Sequence, residues 1–409
     1  MNWQLARYLF GTGVATFADR LAQVQLLSTV VMSGPDGQGL GSNTLALLMP
    51  FVLFSYGFGA LVDSRDNRKL LIFTSALRGL LMIGIPTVLV SFGATGIIIP
   101  STIFALCMCT VSSSILDFAL LPRLLSRFEQ SRSANAALLL VNTSATLSAV
   151  VCAPALAEIW LPHESLRVVA LMYFLAMVFF WSMSRSSTAA LSPIGGDQQD
   201  LAKLFRVKKG SIALFRMSFI VQLAHGIFFS LFLVFCIQNT QFNNAQISNI
   251  FATLATGFIA GAIASLTFLR RTKPSRLIGY STLCTALACL IFIAIGNTSS
   301  LLRLFLLSVG TAGATTLISI NSLMQKEFGA NVRGKVYGAI LSLTAAVYTL
   351  TAVGIEQITI QYSAHTIIKI ICGAWLFCVG FTAITSTGLK ARWHKARRKG
   401  KSKLSSKTA

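Results

Sequence analysis

The chain is 409 residues long, 54% hydrophobic and only 11% charged, with a formal net charge of +22. Soluble domains carry about 25% charged residues, so this composition excludes an ordinary soluble fold and points to repeated apolar segments that each cross about 30 Å of hydrocarbon. The Lys and Arg excess lies in short clusters between those segments, which excludes a nucleic-acid-binding face and reports membrane orientation instead.

Twelve apolar runs follow one another, near residues 7–32, 43–62, 70–91, 97–120, 136–160, 167–184, 213–237, 247–269, 277–296, 301–324, 337–360 and 366–389. They are continuous rather than alternating, so they read as helices and not as barrel strands. The first run holds Asp19 and Arg20 and lacks a small-residue cleavage site, so it reads as a retained span rather than a signal peptide.

Charge then sets the topology. Basic residues occupy the loops after spans two (Arg65, Arg68, Lys69), four (Arg123, Arg127, Arg132), eight (Arg270, Arg271, Lys273, Arg276) and ten (Lys326, Arg333, Lys335). The intervening loops 33–42, 92–96, 161–166, 238–246, 297–300 and 361–365 contain no Lys or Arg. This alternation predicts both termini in the cytoplasm. The expected fold is all-α: a six-helix bundle over 1–184, a cytoplasmic central loop over 185–211, a second six-helix bundle over 212–389, and a basic cytoplasmic tail over 390–409. The tail reads as a solvated flank, with anionic-lipid binding as the alternative.

The eight cysteines all fall inside apolar runs and read as small buried hydrophobes, so neither a disulfide framework nor a metal site is expected. No phosphate-binding loop, metalloprotease helix or credible nucleophile is present, and an enzyme is not expected. No cofactor is expected either.

Span two ends in GALVDSRDNRKLL, Gly59 to Leu71. This stretch resembles the signature loop of the major facilitator superfamily. The resemblance implies a conformational latch between the two halves, built here from Gly59, Asp63, Arg68 and Lys69. Ser64 and Asn67 stand where that family has basic residues, so Arg68 is the first choice as partner of Asp63. The stretches Leu120 to Ala157 and Asn321 to Ile340 resemble the transmembrane secretion-effector branch. Arg333-Gly334-Lys335 matches its Arg-Gly-Arg and adds Arg333 to the latch. That branch holds macrolide-type drug exporters and siderophore exporters, with lysophospholipid carriers nearby. The fifth span keeps a helix bend at Pro154 but reads Ala153-Pro154-Ala155-Leu156-Ala157-Glu158, without the antiporter glycines. The resemblance implies a monomer in a bacterial inner membrane, exporting a siderophore-like or drug-like molecule by alternating access with proton antiport. The alternatives are a lysophospholipid carrier and a transport-dead sensor or scaffold.

Charge inside the membrane costs about 2.5–3.5 kcal/mol per residue and marks cavities or partners. Asp19, Arg20, Glu356 and His225 are therefore the candidates for substrate or proton coupling. Adjacent helical residues project about 100° apart, and Asp19 is the one expected in the cavity, with a structural ion pair as the alternative. Glu356 suits either proton coupling or a rim position, and His225 either a relay or a satisfied core histidine. Asp117 and Glu158 are expected at solvated helix ends. Arg78, Arg216, Arg303 and Lys369 are expected to reach the interface, although two of them in the cavity would favour an anionic substrate. Gly257 to Gly261 reads as a small-residue packing face.

Overall fold

The protein is seen here in a computed structural model, which describes residues 3–33, 40–92, 98–125, 130–184, 214–223, 244–295 and 299–361, with isolated positions at 212 and between 366 and 377. Each apolar run within these residues folds as a helix: α1 (Trp3–Ser33), α2 (Leu40–Ser64), α3 (Asn67–Phe92), α4 (Ile98–Leu120), α5 (Ser131–Ile159) and α6 (Pro162–Trp181). They continue with α7 (Leu214–Leu223), α8 (Asn244–Leu266), α9 (Pro274–Ile295), α10 (Ser299–Glu327) and α11 (Arg333–Gln361). Eight of the described helices, α2 to α6 and α8 to α10, are long and apolar enough to cross a membrane. Between its first and last turns a helix satisfies every backbone group within the segment, which is why these sequences fold this way in lipid.

Large apolar side chains such as Leu53, Phe73, Leu80, Leu171, Leu175 and Leu304 point outward, as a lipid-facing surface requires. Exposed Trp3 and Trp181 lie at one end of the molecule and Trp160 at the other, where amphipathic rings meet headgroups. Inside, α1 to α6 enclose two apolar cores, one around Tyr8, Ile115 and Phe180 and one around Leu21, Leu106 and Tyr173. A third core gathers Met217, Ile320, Met324, Phe328 and Val336 and takes Phe118 of α4 as its link to the first six helices.

α1 to α6 meet α8, α10 and α11 along two seams, α2 against α11 and α5 against α8 and α10. The loops that follow α2, α4, α8 and α10 come together at one end of both seams, and these are the loops rich in Lys and Arg. Close backbone approach makes the helix pairs possible. A Cβ on Gly59 of α2 would sit 2.3 Å from the carbonyl oxygen of Gly334 in α11. Within the second group, a Cβ on Gly257 or Gly261 of α8 would meet the Leu307 or Thr311 carbonyl of α10 at 2.6 or 2.5 Å, so this small-residue face packs as the spacing suggests. Of the cysteines described, Cys107, Cys109, Cys289 and Cys372 are buried, whereas Cys152 and Cys284 are exposed on the bundle surface, contrary to the uniform burial expected. A thiol is apolar enough to face lipid as readily as a core.

Candidate transport site

The basic end is closed by a latch. Asp63, in the last turn of α2, accepts hydrogen bonds from the backbone N–H of Gly334 at 2.8 Å and of Lys335 at 2.9 Å. First-turn N–H groups have no partner inside their own helix and carry the positive end of its dipole. Asp63 therefore caps α11 from the opposite half of the molecule. The approach needs glycine on both sides: a Cβ on Gly334 would lie 2.4 Å from the Gly59 carbonyl oxygen, and one on Gly338 would lie 2.2 Å from that of Ser55. The Ser342 hydroxyl adds a bond to the Val52 carbonyl oxygen at 2.6 Å.

The expected partner of Asp63 is corrected. Arg68 points away from it, donating to the Phe180 carbonyl at 3.4 Å and to the Trp181 carbonyl at the end of α6. Its own N–H is held by Asp66 at 3.0 Å, which starts α3. Lys69 is exposed. Arg333 is buried and caps the end of α10 through the carbonyls of Gln325 and Phe328 at 3.1 and 2.9 Å. Arg123, read in the sequence only as an orientation marker, donates to the Ala330 carbonyl at 3.0 Å and puts its charge near Asp63.

The second seam closes the same end. Arg132 at the start of α5 donates to the carbonyls of Leu269 and Thr272 in the turn after α8. Gln325 of α10, fully buried, accepts from Ser131 at 2.6 Å and Asn135 at 2.7 Å and donates to the Phe118 carbonyl at 3.0 Å. The Phe118 ring stacks on Tyr337 of α11, with centroids 4.4 Å apart.

Above this floor lies a cavity of about 860 Å³ between α1, α3, α4 and α5 on one side and α8 on the other. Its lining runs from Asp117, near the basic end of α4, to Val151, Pro154 and Asn249 towards the opposite end. α5 stays helical through Pro154 to Ile159, and Pro154 forms part of the wall. Threonine and asparagine side chains (Thr12, Thr16, Asn142, Thr146) alternate with apolar ones such as Leu147, Phe251 and Phe258.

Asp19 lines the cavity, as expected, and is at the same time held in the structural ion pair that was its alternative. Asp19 is 7% exposed and forms an ion pair with Arg78 at 3.5 Å, while Tyr173 and Thr110 donate to its two oxygens. Arg78 is 1% exposed; it donates to Ser113 at 2.9 Å and lies 5.7 Å from the Tyr173 ring centroid. It sits eleven residues into α3 among apolar neighbours, too far from either end to reach the interface, so its expected placement there is corrected. Arg20 is the exposed member of the Asp19–Arg20 pair, held to Gln23 at 2.8 Å and lining the cavity.

Asp117 is also corrected: it is part-buried, accepts from the Tyr8 hydroxyl and from Asn142, and lines the cavity. Glu158, Arg216, Arg303 and Lys369 are exposed, as expected of helix ends and interfaces. His225 lies outside the described residues, as does the side chain of Glu356 within α11. Among the described residues no cluster of three or more His, Cys, Asp or Glu side chains is placed to hold a metal ion. The sequence did signal Arg78 and Asp117, since each is a charge within an apolar run. Nothing in it marked Tyr8, Tyr173 or Gln325, whose roles depend on which helices become neighbours.

A bundle of membrane-crossing helices in two groups, latched at one end around a central cavity whose mostly apolar wall carries a few charged and polar groups, is the architecture of a carrier. The sequence profile of the Major Facilitator Superfamily matches residues 4–352, and the chain belongs to that family. It is a multi-pass membrane transporter rather than an enzyme, of a fold that works by alternating access. No curated protein sequence matches it. Among solved structures it resembles a bacterial homologue of the iron transporter ferroportin in an outward-facing state, at 14% identity over 94% of this chain and 99% of that one, with a TM-score of 0.73. The human organic anion transporter MFSD10 is 14% identical over 92% of this chain and 99% of that one, with a TM-score of 0.69. FucP in the outward conformation is 11% identical over 93% and 99%, with a TM-score of 0.68.

Proposed function

We propose that this transporter exports an anionic small molecule, siderophore-like or drug-like, from the cytoplasm by proton antiport. In this reading the end rich in Lys and Arg is cytoplasmic, the membrane is a bacterial inner membrane, and the arrangement described is outward-facing. The observation that carries the substrate class is Arg20, an exposed guanidinium in a cavity where the other arginine among the described lining residues, Arg78, is already paired with Asp19. A guanidinium offers a fork of donors matched to carboxylate geometry. Apolar walls such as Leu147, Phe251 and Phe258 suit the non-polar body of such a molecule. The antiport reading draws on carboxylates within the bundle and on the branch resemblance, and alternating access on a seam made of separable polar bonds. A transport-dead scaffold has no use for a cavity of about 860 Å³ with a charged lining.

The test is flux into proteoliposomes made with the full chain and an inside-acid gradient. A carboxylate-type chelator should accumulate, a cationic dye should not, and Arg20→Gln should lower the chelator flux at least tenfold. Accumulation without any gradient dependence would remove proton coupling. Preference for the cationic dye would remove the anionic class, and uptake of a fluorescent lysophospholipid alone would reassign the protein as a lipid carrier.

A further inference from the structure

Resting on the proton-coupled reading above, we propose that Asp117 is the carboxyl that carries the proton, and that Asp19 stays ionised as the fixed counter-charge of Arg78. The two acids have different surroundings. Asp19 faces a buried guanidinium at 3.5 Å and takes hydrogen bonds on both oxygens. Removing its charge would strand a cation that is 1% exposed, which is costly in any medium of low dielectric.

Asp117 receives its hydrogen bonds from neutral groups, the Tyr8 hydroxyl of α1 and the Asn142 amide of α5. Thr16 donates to the Asn142 oxygen at 3.1 Å, which turns the amide N–H₂ towards Asp117. A carboxylate accepts both donors. A carboxylic acid still accepts through its carbonyl oxygen while its new O–H meets the cavity. Among the described residues, the titratable and charged groups that face Asp117 are Tyr8 and Asp19 from α1, Arg78 from α3 and Tyr337 from α11. With Asp117 ionised, the trio Asp19, Arg78 and Asp117 carries one net negative charge. With Asp117 protonated it is neutral.

Position supplies the coupling. Asp117 lines both the main cavity and a smaller one of about 420 Å³ that reaches Phe118, Asn135 and Tyr337 at the seam. Phe118, the next residue, stacks on Tyr337 and accepts from Gln325 through its carbonyl. A proton taken from the outer cavity is thus held one residue from the closed floor. When the Phe118–Tyr337 and Phe118–Gln325 contacts part, the same carboxyl faces the other side and the O–H bond can release its proton there. The cycle moves one proton per turnover through Asp117 and none through Asp19.

The experiment is an infrared pH titration of the purified full chain in lipid nanodiscs, following the C=O band of a protonated carboxyl. A titrating band lost in Asp117→Asn and retained in the double change Asp19→Asn with Arg78→Leu, which removes the other acid without stranding a buried cation, is expected. Tyr8→Phe, which keeps the carboxyl and removes one donor, should shift the midpoint of that band. A band that survives Asp117→Asn, a midpoint untouched by Tyr8→Phe, or a wild-type protein without a titrating band overturns the assignment. The gradient assay judges coupling separately: flux indifferent to the gradient ends the antiport reading, whereas a surviving band ends only the choice of Asp117.

Discussion

Gly59→Ala tests the latch at its tightest point. The added methyl would lie 2.3 Å from the Gly334 carbonyl oxygen, 2.6 Å from its carbon and 2.9 Å from the Lys335 Cα, all backbone atoms that cannot rotate aside. Restoring an ordinary contact of about 3.4 Å forces α2 and α11 apart by about 1 Å. The Asp63 bonds to Gly334 and Lys335, now 2.8 and 2.9 Å, would then exceed useful hydrogen-bond length. Hydrogen bonds to a charged group contribute about 1.5–3 kcal/mol each, so losing two weakens the closed end by about 3 kcal/mol or more, at least a hundredfold in population. Residue-resolved hydrogen exchange reads this directly, because Asp63 is the acceptor for both amides. Exchange at Gly334 and Lys335 should accelerate about a hundredfold. Gly57→Ala is the control, since a Cβ there meets nothing within 4 Å. Unchanged protection in Gly59→Ala, or equal acceleration in Gly57→Ala, would refute the latch geometry.

Two further substitutions probe the same frame. Asp63→Asn keeps one acceptor oxygen but turns an N–H₂ towards a backbone N–H, so transport should fall at least tenfold while membrane insertion and folded yield stay normal, as fluorescence-detected gel filtration would show. Asp19→Asn leaves Arg78 charged and unpaired in the bundle, at a cost of about 3–5 kcal/mol. Its folded yield and melting temperature in detergent should drop, and the double change Asp19→Asn with Arg78→Leu should recover much of that loss. No recovery in the double variant would mean that the pair is not what destabilises the single one.

The sequence alone determined the helices, because their signal is local. Each span is a continuous apolar run whose backbone has no option but to bond within itself. The expected run 97–120 and the observed Ile98–Leu120 differ by one residue, and 337–360 lies inside Arg333–Gln361. The meeting of the basic loops was legible too, since Lys and Arg cannot easily cross lipid. The signature stretch likewise pointed to Gly59 and Asp63. Partner choice was not legible. Asp63 found two backbone amides of α11, which have no side-chain signature, while Arg68 went to carbonyls at the end of α6. The same holds within the membrane. A sequence shows that Asp19, Arg20, Arg78 and Asp117 are charged, but not which ones face one another. Only the packing of α1 and α3 against α4 and α6, and of α1 against α5, buried Asp19 on Arg78, turned Arg20 to the cavity, and set Asp117 beside neutral donors at its floor. Electrostatic roles in a low-dielectric interior follow distances of a few ångströms between helices far apart in sequence, and those distances exist only once the helices have packed.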